Sequence, residues 1–138
     1  MEGQEDTFVL MVRSLLEKGV ENVDSSHLTD GLRKEFDVVG DKFLIIGSYA
    51  EAAGTYYLSG NILKLKQVGL TALRAFKFEA AAAAFRYAKD TKGLIDVGNA
   101  FLGEGRLKDA YSCFKLSGNE EMIKFFEENF AEGVAEYI

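Results

Sequence analysis

The chain has 138 residues, of which 48% are hydrophobic and 28% are charged, and its formal net charge at pH 7 is −6. These values are typical of one soluble globular domain, and the negative charge disfavours nucleic acid as a partner. The single cysteine, Cys113, fits a reducing compartment. The sequence shows neither a membrane-spanning run nor a signal peptide. We therefore expect a cytoplasmic protein without membrane insertion.

The first predicted element is an N-terminal capping helix over about residues 6–18. Asp6 and Thr7 can cap it, because their side-chain oxygens accept from free backbone N–H groups. Apolar residues follow at helical spacing and Gly19 is a typical stop: they are Phe8, Met11, Val12, Leu15 and Leu16. Residues 20–29 are rich in Asn, Asp and Ser, and we expect a loop there, with a short helical turn near residues 26–32.

From about residue 33 to residue 119 the sequence repeats at an interval of 29 residues. Gly40, Gly69 and Gly98 share one phase, and flanking apolar and small residues keep the same interval. A fixed period in the range of 20–50 residues with two helix-like halves is typical of stacked helical hairpins. Amphipathic helices in general share apolar spacing, but that does not explain a glycine held in phase three times. The sequence therefore predicts a single all-α domain, an α-α superhelix of three hairpins over residues 33–61, 62–90 and 91–119.

Residues suited to helix ends recur with the same period. N-cap residues stand at equivalent places just before a new helix: they are Asn61, Asp90 and Asn119. Glycines suited to a left-handed conformation stand at several connections: they are Gly47, Gly60, Gly105 and Gly118. In the second hairpin, with helices predicted over 62–76 and 78–88, Lys77 or a neighbour must make the turn.

The phased glycine within the first helix of each hairpin costs up to about 1 kcal/mol relative to alanine. Its recurrence predicts that the second helix approaches closely at this position. The expected facing residues are small ones, twelve positions later: Ala52, Ala81 and Ala110.

The order of apolar residues, glycine, alanine and aromatic residue resembles the tetratricopeptide repeat. Four residues separate Leu65 from Gly69, twelve more lead to Ala81, and four more to Phe85. The period is five residues shorter than the 34 of that family, and the connection between hairpins lacks the usual proline. The short connection is also similar to the hairpins of coatomer, clathrin-type and ciliary-transport solenoids. The resemblance covers about residues 33–119 and implies a concave face lined by the first helices, which binds peptides or helices in such arrays.

By this resemblance, nine residues form a partner-binding groove: Lys34, Asp37, Asp41, Leu63, Lys66, Leu70, Lys92, Ile95 and Asn99. Asp37 and Asp41 stand where some tetratricopeptide arrays place a basic and amide clamp for a C-terminal carboxylate, and their charge argues against that ligand. We expect a scaffold or adaptor module that binds a peptide or helix of another protein and has neither catalytic activity nor a cofactor.

Residues suited to catalysis or metal binding are scarce. His27 is the only histidine and has no companion at ligand spacing, and Cys113 takes the repeat position of Ala84 and Thr55, which predicts a small buried residue. The alternative is an enzymatic or small-ligand-binding protein with a pocket near the N-terminal helix. No nucleophile, metal set or cofactor motif supports that alternative.

The last predicted helix, over about 120–137, is acidic and has a wide apolar face. A single neighbour buries a stripe of about 100°, so the remainder is expected to form an interface: the candidates are Phe125, Phe126, Phe130, Val134 and Tyr137. A homodimer, a different partner and further repeats of a longer chain all remain open.

Residues 62–90 carry six basic and two acidic side chains. These basic side chains can attract an acidic peptide, pair with the acidic ends of another copy, or be solvated.

Overall fold

The computed structural model describes the backbone of residues 2–134 and the side chains of residues 7–130. This part of the chain contains eight α-helices, a short 3-10 turn (Val20–Asn22) and no strand. The helices are α1 (Glu2–Lys18), α2 (Asp30–Ile45), α3 (Tyr49–Ser59), α4 (Ile62–Arg74), α5 (Phe78–Ala88), α6 (Thr91–Gly103), α7 (Leu107–Ser117) and α8 (Glu120–Val134). The predicted all-α class is confirmed.

The helices pack in chain order as hairpins. Hairpin 1 consists of α2 and α3, hairpin 2 of α4 and α5, and hairpin 3 of α6 and α7, and the second helix of hairpins 1 and 2 contacts both helices of the next hairpin. Helix α1 lies on α2 and α3, and α8 lies on α7. Hairpin 2 contributes to two apolar clusters, one shared with α1 and hairpin 1 and the other with hairpin 3 and α8. Each hairpin therefore buries its apolar side chains against its neighbours.

The helix caps lie where the sequence places them. The side chains of Asn61, Asp90 and Asn119 each accept a hydrogen bond from the backbone N–H three residues later. Gly60 and Gly118 adopt left-handed φ angles of 74° and 70° at the ends of α3 and α7. These contacts satisfy backbone groups that every helix end leaves without an intrahelical partner.

Two predicted helix starts differ from the structure. Helix α1 begins at Glu2, before the predicted cap at residues 6–7. Helix α2 begins at Asp30, because Thr29 Oγ1 accepts from the backbone N–H of Leu32 and acts as the N-cap. The turn expected near residues 26–32 therefore contains the first residues of α2. Helix α8 is described to Val134, and residues 135–137 of the predicted last helix lie outside the described residues.

The phased glycines are buried under aromatic rings. A Cβ atom added to Gly98 would lie 2.5 Å from Phe114 Cε1 of the second helix, and the same distance separates the corresponding atoms at Gly69 and Phe85 and at Gly40 and Tyr56. The predicted close approach is present, and the nearest atoms belong to the ring four residues beyond the predicted Ala52, Ala81 and Ala110.

We expect Gly98→Ala to lower the free energy of unfolding by about 1–3 kcal/mol, as overpacking does in other cores. Helix propensity alone would favour alanine by about 1 kcal/mol, so the sign separates the two effects. The Phe114 ring cannot move away easily, because it is buried against Phe126 with 5.4 Å between ring centroids. Gly103→Ala, also in α6, is the control, since no atom lies within 4 Å of its added Cβ. A urea titration in which both variants match the parent would contradict the ring contact.

Hairpin 2 makes its two turns without glycine. Phe76 adopts φ 60° where hairpins 1 and 3 have Gly47 and Gly105, and Lys89 adopts φ 54° where they have Gly60 and Gly118. The predicted turn at Lys77 or a neighbour is thus made by Phe76. Left-handed backbone costs a residue with a side chain roughly 1–2 kcal/mol, so two strained residues lie at opposite ends of hairpin 2.

Replacing Lys89 with glycine should raise the free energy of unfolding. The relieved strain exceeds the extra entropy that glycine gives the unfolded chain, and we expect a net gain of about 0.5–1 kcal/mol. The reverse exchange, Gly118→Lys, places the same strain in hairpin 3 and should cost a similar amount. Thermal unfolding of both variants checks this, and a lower melting temperature for Lys89→Gly would contradict it.

Candidate interaction surface

The nine predicted groove residues all lie on the first helices of the hairpins. They occupy three repeat positions on α2, α4 and α6, and we call the side of these helices that carries them the A face. The same three positions on α8 are Glu121, Lys124 and Glu128. Because the opposite sides of α2, α4 and α6 supply the buried Val39, Val68 and Val97, the A face points away from the core.

Apolar side chains are exposed along the A face. Leu63 is 82% exposed, and Leu70, two turns later on α4, is exposed as well. The sequence analysis did not include Val38, which is exposed on α2 at the repeat position that Phe125 takes on α8. The 29-residue period could have indicated Val38, because Val38 and Phe125 share one repeat position next to the groove positions. Ile95 is half-buried against the core cluster of hairpin 3 and contributes less surface than predicted.

The two acidic groove residues are engaged within the chain. Asp37 Oδ1 accepts from the Ser59 hydroxyl at 2.6 Å, and its Oδ2 accepts from the Asn61 amide at 3.1 Å. Asp41 Oδ1 accepts from the Tyr56 hydroxyl at 2.5 Å and lies 3.4 Å from Lys64 Nζ. These carboxylates join hairpin 1 to the start of hairpin 2, a role that the resemblance did not imply.

Tyr56 is wholly buried between α2 and α3. Burial, followed by the hydrogen bond to Asp41, raises the pKa of the Tyr56 phenol well above its ordinary value of 10.0. The folded chain therefore keeps this proton at a pH where the unfolded chain has lost it.

Stability should consequently fall as the pH rises above about 10, by up to about 1.4 kcal/mol per pH unit from this one group. Tyr56→Phe cannot lose a proton, so its unfolding free energy should depend less steeply on pH, although the lost hydrogen bond lowers it by about 1 kcal/mol at neutral pH. Urea titrations of both proteins between about pH 9 and 11 compare the slopes. Equal slopes would show that the buried phenol is not the titrating group.

Three lysines of the A face have no ion-pair partner among the described residues. Lys34, Lys66 and Lys92 are exposed on α2, α4 and α6, whereas the neighbouring Lys64 pairs with Asp41. Asn99 is exposed near the end of α6 and adds a neutral polar group. The A face therefore combines exposed leucines with lysines that make no ion pair within the described residues.

Only some of the residues of the predicted interface on α8 are exposed. Phe126 is 0% exposed and stacks on Tyr111 at 5.5 Å between ring centroids, because it occupies the core position of Val97 one repeat earlier. Its predicted place in an intermolecular surface is therefore wrong. Phe130 is half-buried against Phe126, while Phe125 is 53% exposed. The Val134 side chain and Tyr137 lie outside the described residues, and the homodimer remains a prediction.

The groove beside α1 that the alternative interpretation requires is shallow, with a volume of about 270 Å³. Arg13, Leu16, Glu17 and Glu51 line it, and Arg13 pairs with Glu51 at 2.7 Å. A second shallow groove, of about 250 Å³, lies between α5 and α7 and includes Cys113. Burial raises the pKa of the Cys113 thiol to about 11, so little reactive thiolate forms at neutral pH.

His27 is exposed in the loop before α2, away from these grooves. Within the described part of the chain, no group of three histidine, cysteine, aspartate or glutamate side chains is placed to hold a metal ion.

Comparison with protein-family models, with curated proteins and with solved structures gives no match. Among the described helices, none has both the length and the apolar character needed to cross a membrane. The A face is thus the candidate site on the strength of its own exposure, charge and periodicity.

Proposed function

We propose that the chain is a protein-interaction module and that its A face binds an amphipathic helix or peptide of a partner protein. In this proposal the three hairpins form a short superhelix similar to a tetratricopeptide array, with the A face on its concave side. The 29-residue period and the ring packed on each phased glycine support this arrangement. Fold alone does not define function, so the proposal depends on the surface itself.

The observation that carries the proposal is the exposure of Leu63. A leucine that is 82% exposed on a regular helix, with Leu70 and Val38 exposed nearby, presents an apolar patch rimmed by polar residues. Such patches mark interaction sites, and a side chain that a partner covers can contribute about 1.5–3 kcal/mol. Scattered single apolar residues need no explanation, but these three share one face.

The acidic pair on α2 restricts the kind of partner. The carboxylates of Asp37 and Asp41 accept hydrogen bonds from Ser59, Asn61 and Tyr56. Asp41 also forms an ion pair with Lys64. They are held in place and remain negative, so they disfavour a ligand anchored by its C-terminal carboxylate at this end. The partner is then recognised through apolar side chains along a helix or an extended segment.

A displayed peptide library selected against the purified chain tests this function. We expect the enriched peptides to carry apolar residues at helical or alternating spacing, and to bind Leu63→Ser at least about tenfold more weakly than the parent. The matched control is Leu10→Ser, because Leu10 is 66% exposed on α1 and therefore outside the A face. Enriched peptides that bind Leu63→Ser as well as the parent would contradict the proposed site.

A further inference from the structure

The charge of the A face changes along the stack, and this change gives information about the partner. Lys34 on α2 and Lys92 on α6 take the same repeat position as Leu63 on α4. Lys66 lies one turn after Leu63 on α4. All three are exposed and lack an ion-pair partner among the described residues. The most exposed leucine of the face is therefore surrounded by positive charge.

The acidic side chains near these lysines differ in where they point and in what they contact. Asp37 and Asp41 point into the junction between hairpins 1 and 2, where both accept hydrogen bonds and Asp41 also pairs with Lys64. Asp30 and Glu35 on α2 and Asp96 on α6 are also exposed, whereas α4 carries basic side chains and no acidic one. The positive section of the face is therefore centred on α4, with Lys34 and Lys92 on the neighbouring first helices.

We infer that the segment bound on this section is an acidic amphipathic helix. This inference rests on the proposed function and specifies the partner's chemistry. Leu63 and Leu70 are seven residues apart, about 10.5 Å along α4, so a partner helix lying along α4 matches them with apolar residues at positions i and i+7, supported by i+3 or i+4. Glutamates or aspartates beside those residues face Lys34, Lys66 and Lys92.

Electrostatic complementarity of this kind sets specificity and association rate more than total affinity. Each exposed ion pair contributes little on its own, but three pairs that act together discriminate between peptides of opposite charge. A nucleic-acid phosphate backbone fits less well, because the lysines enclose apolar side chains rather than a continuous basic groove and the chain's net charge is −6.

The test uses three synthetic helical peptides of about 18 residues, or five turns. They share leucines at the i, i+4 and i+7 positions and differ only in their flanking residues, which are all Glu, all Gln or all Lys. Fluorescence anisotropy should give the order Glu, Gln, Lys from tightest to weakest, with about a tenfold difference between the first and last. The difference should shrink as salt is raised, because the Debye length falls from about 10 Å at 0.1 M to about 3 Å at 1 M.

The decisive variant changes Lys34, Lys66 and Lys92 together to Glu, and should reverse this order. Its control changes Lys18, Lys77 and Lys89 to Glu; these are exposed lysines outside the A face, so net charge changes equally while the order should stay that of the parent. Circular dichroism verifies that both variants keep the helical content of the parent.

The outcomes separate the two proposals. If the peptides bind without a charge order, or if the control reverses it as fully as the A-face variant, the acidic-partner inference is wrong while the interaction site stands. If none of the three peptides binds, both proposals fail. Binding of poly-glutamate that Leu63→Ser leaves unchanged would also overturn the inference, since it would indicate attraction to any polyanion.

Discussion

Each hairpin depends on one contact, the ring of its second helix lying over a glycine of its first helix. The rings of Tyr56, Phe85 and Phe114 cover Gly40, Gly69 and Gly98, and in each case a methyl group on the glycine would occupy the same space as the ring. Phe85 also covers Gly93 at the start of α6, so one ring connects hairpin 2 to hairpin 3. Because the contact sets both the separation and the rotation of the paired helices, it turns the buried valines inward and leaves the A face outside. The exposure of the A face is thus a consequence of how the core is packed.

Polar residues divide into those that hold the stack together and those that remain accessible. Asp37, Asp41 and Lys64 join hairpins 1 and 2 and are committed to partners within the chain. Lys34, Lys66 and Lys92 lie on α2, α4 and α6 and face solvent. Because α4 carries exposed leucines and basic side chains but no acidic one, its exposed side is positive and apolar on a chain of negative total charge. The proposed preference for an acidic helix follows from this division.

Much of the fold could be predicted from periodicity, since the phase of the glycines and the N-cap residues determine where the hairpin helices begin. The bounds of α5 were predicted as observed, and α4 ends two residues early because Phe76 takes the left-handed turn. Periodicity gives the position of a residue but not the reach of its side chain, so it did not distinguish Ala81 from Phe85 as the group over Gly69. For the same reason it did not indicate that Asp41 is engaged by Tyr56. The burial of Phe126 could have been predicted, because Phe126 takes the repeat position of the buried Val97.

The most direct test of the ring-on-glycine contact is the proton NMR spectrum of the folded chain. A proton held over an aromatic ring is shielded, so the Hα resonances of Gly69 and Gly98 should lie well upfield of the Hα resonances of Gly103, which has no atom within 4 Å of its added Cβ position. Replacing Phe114 with leucine should return the Gly98 resonances toward the Gly103 values and leave those of Gly69 in place. Unshifted Hα resonances at both Gly69 and Gly98 in the parent would contradict the packing on which the fold and the A face depend.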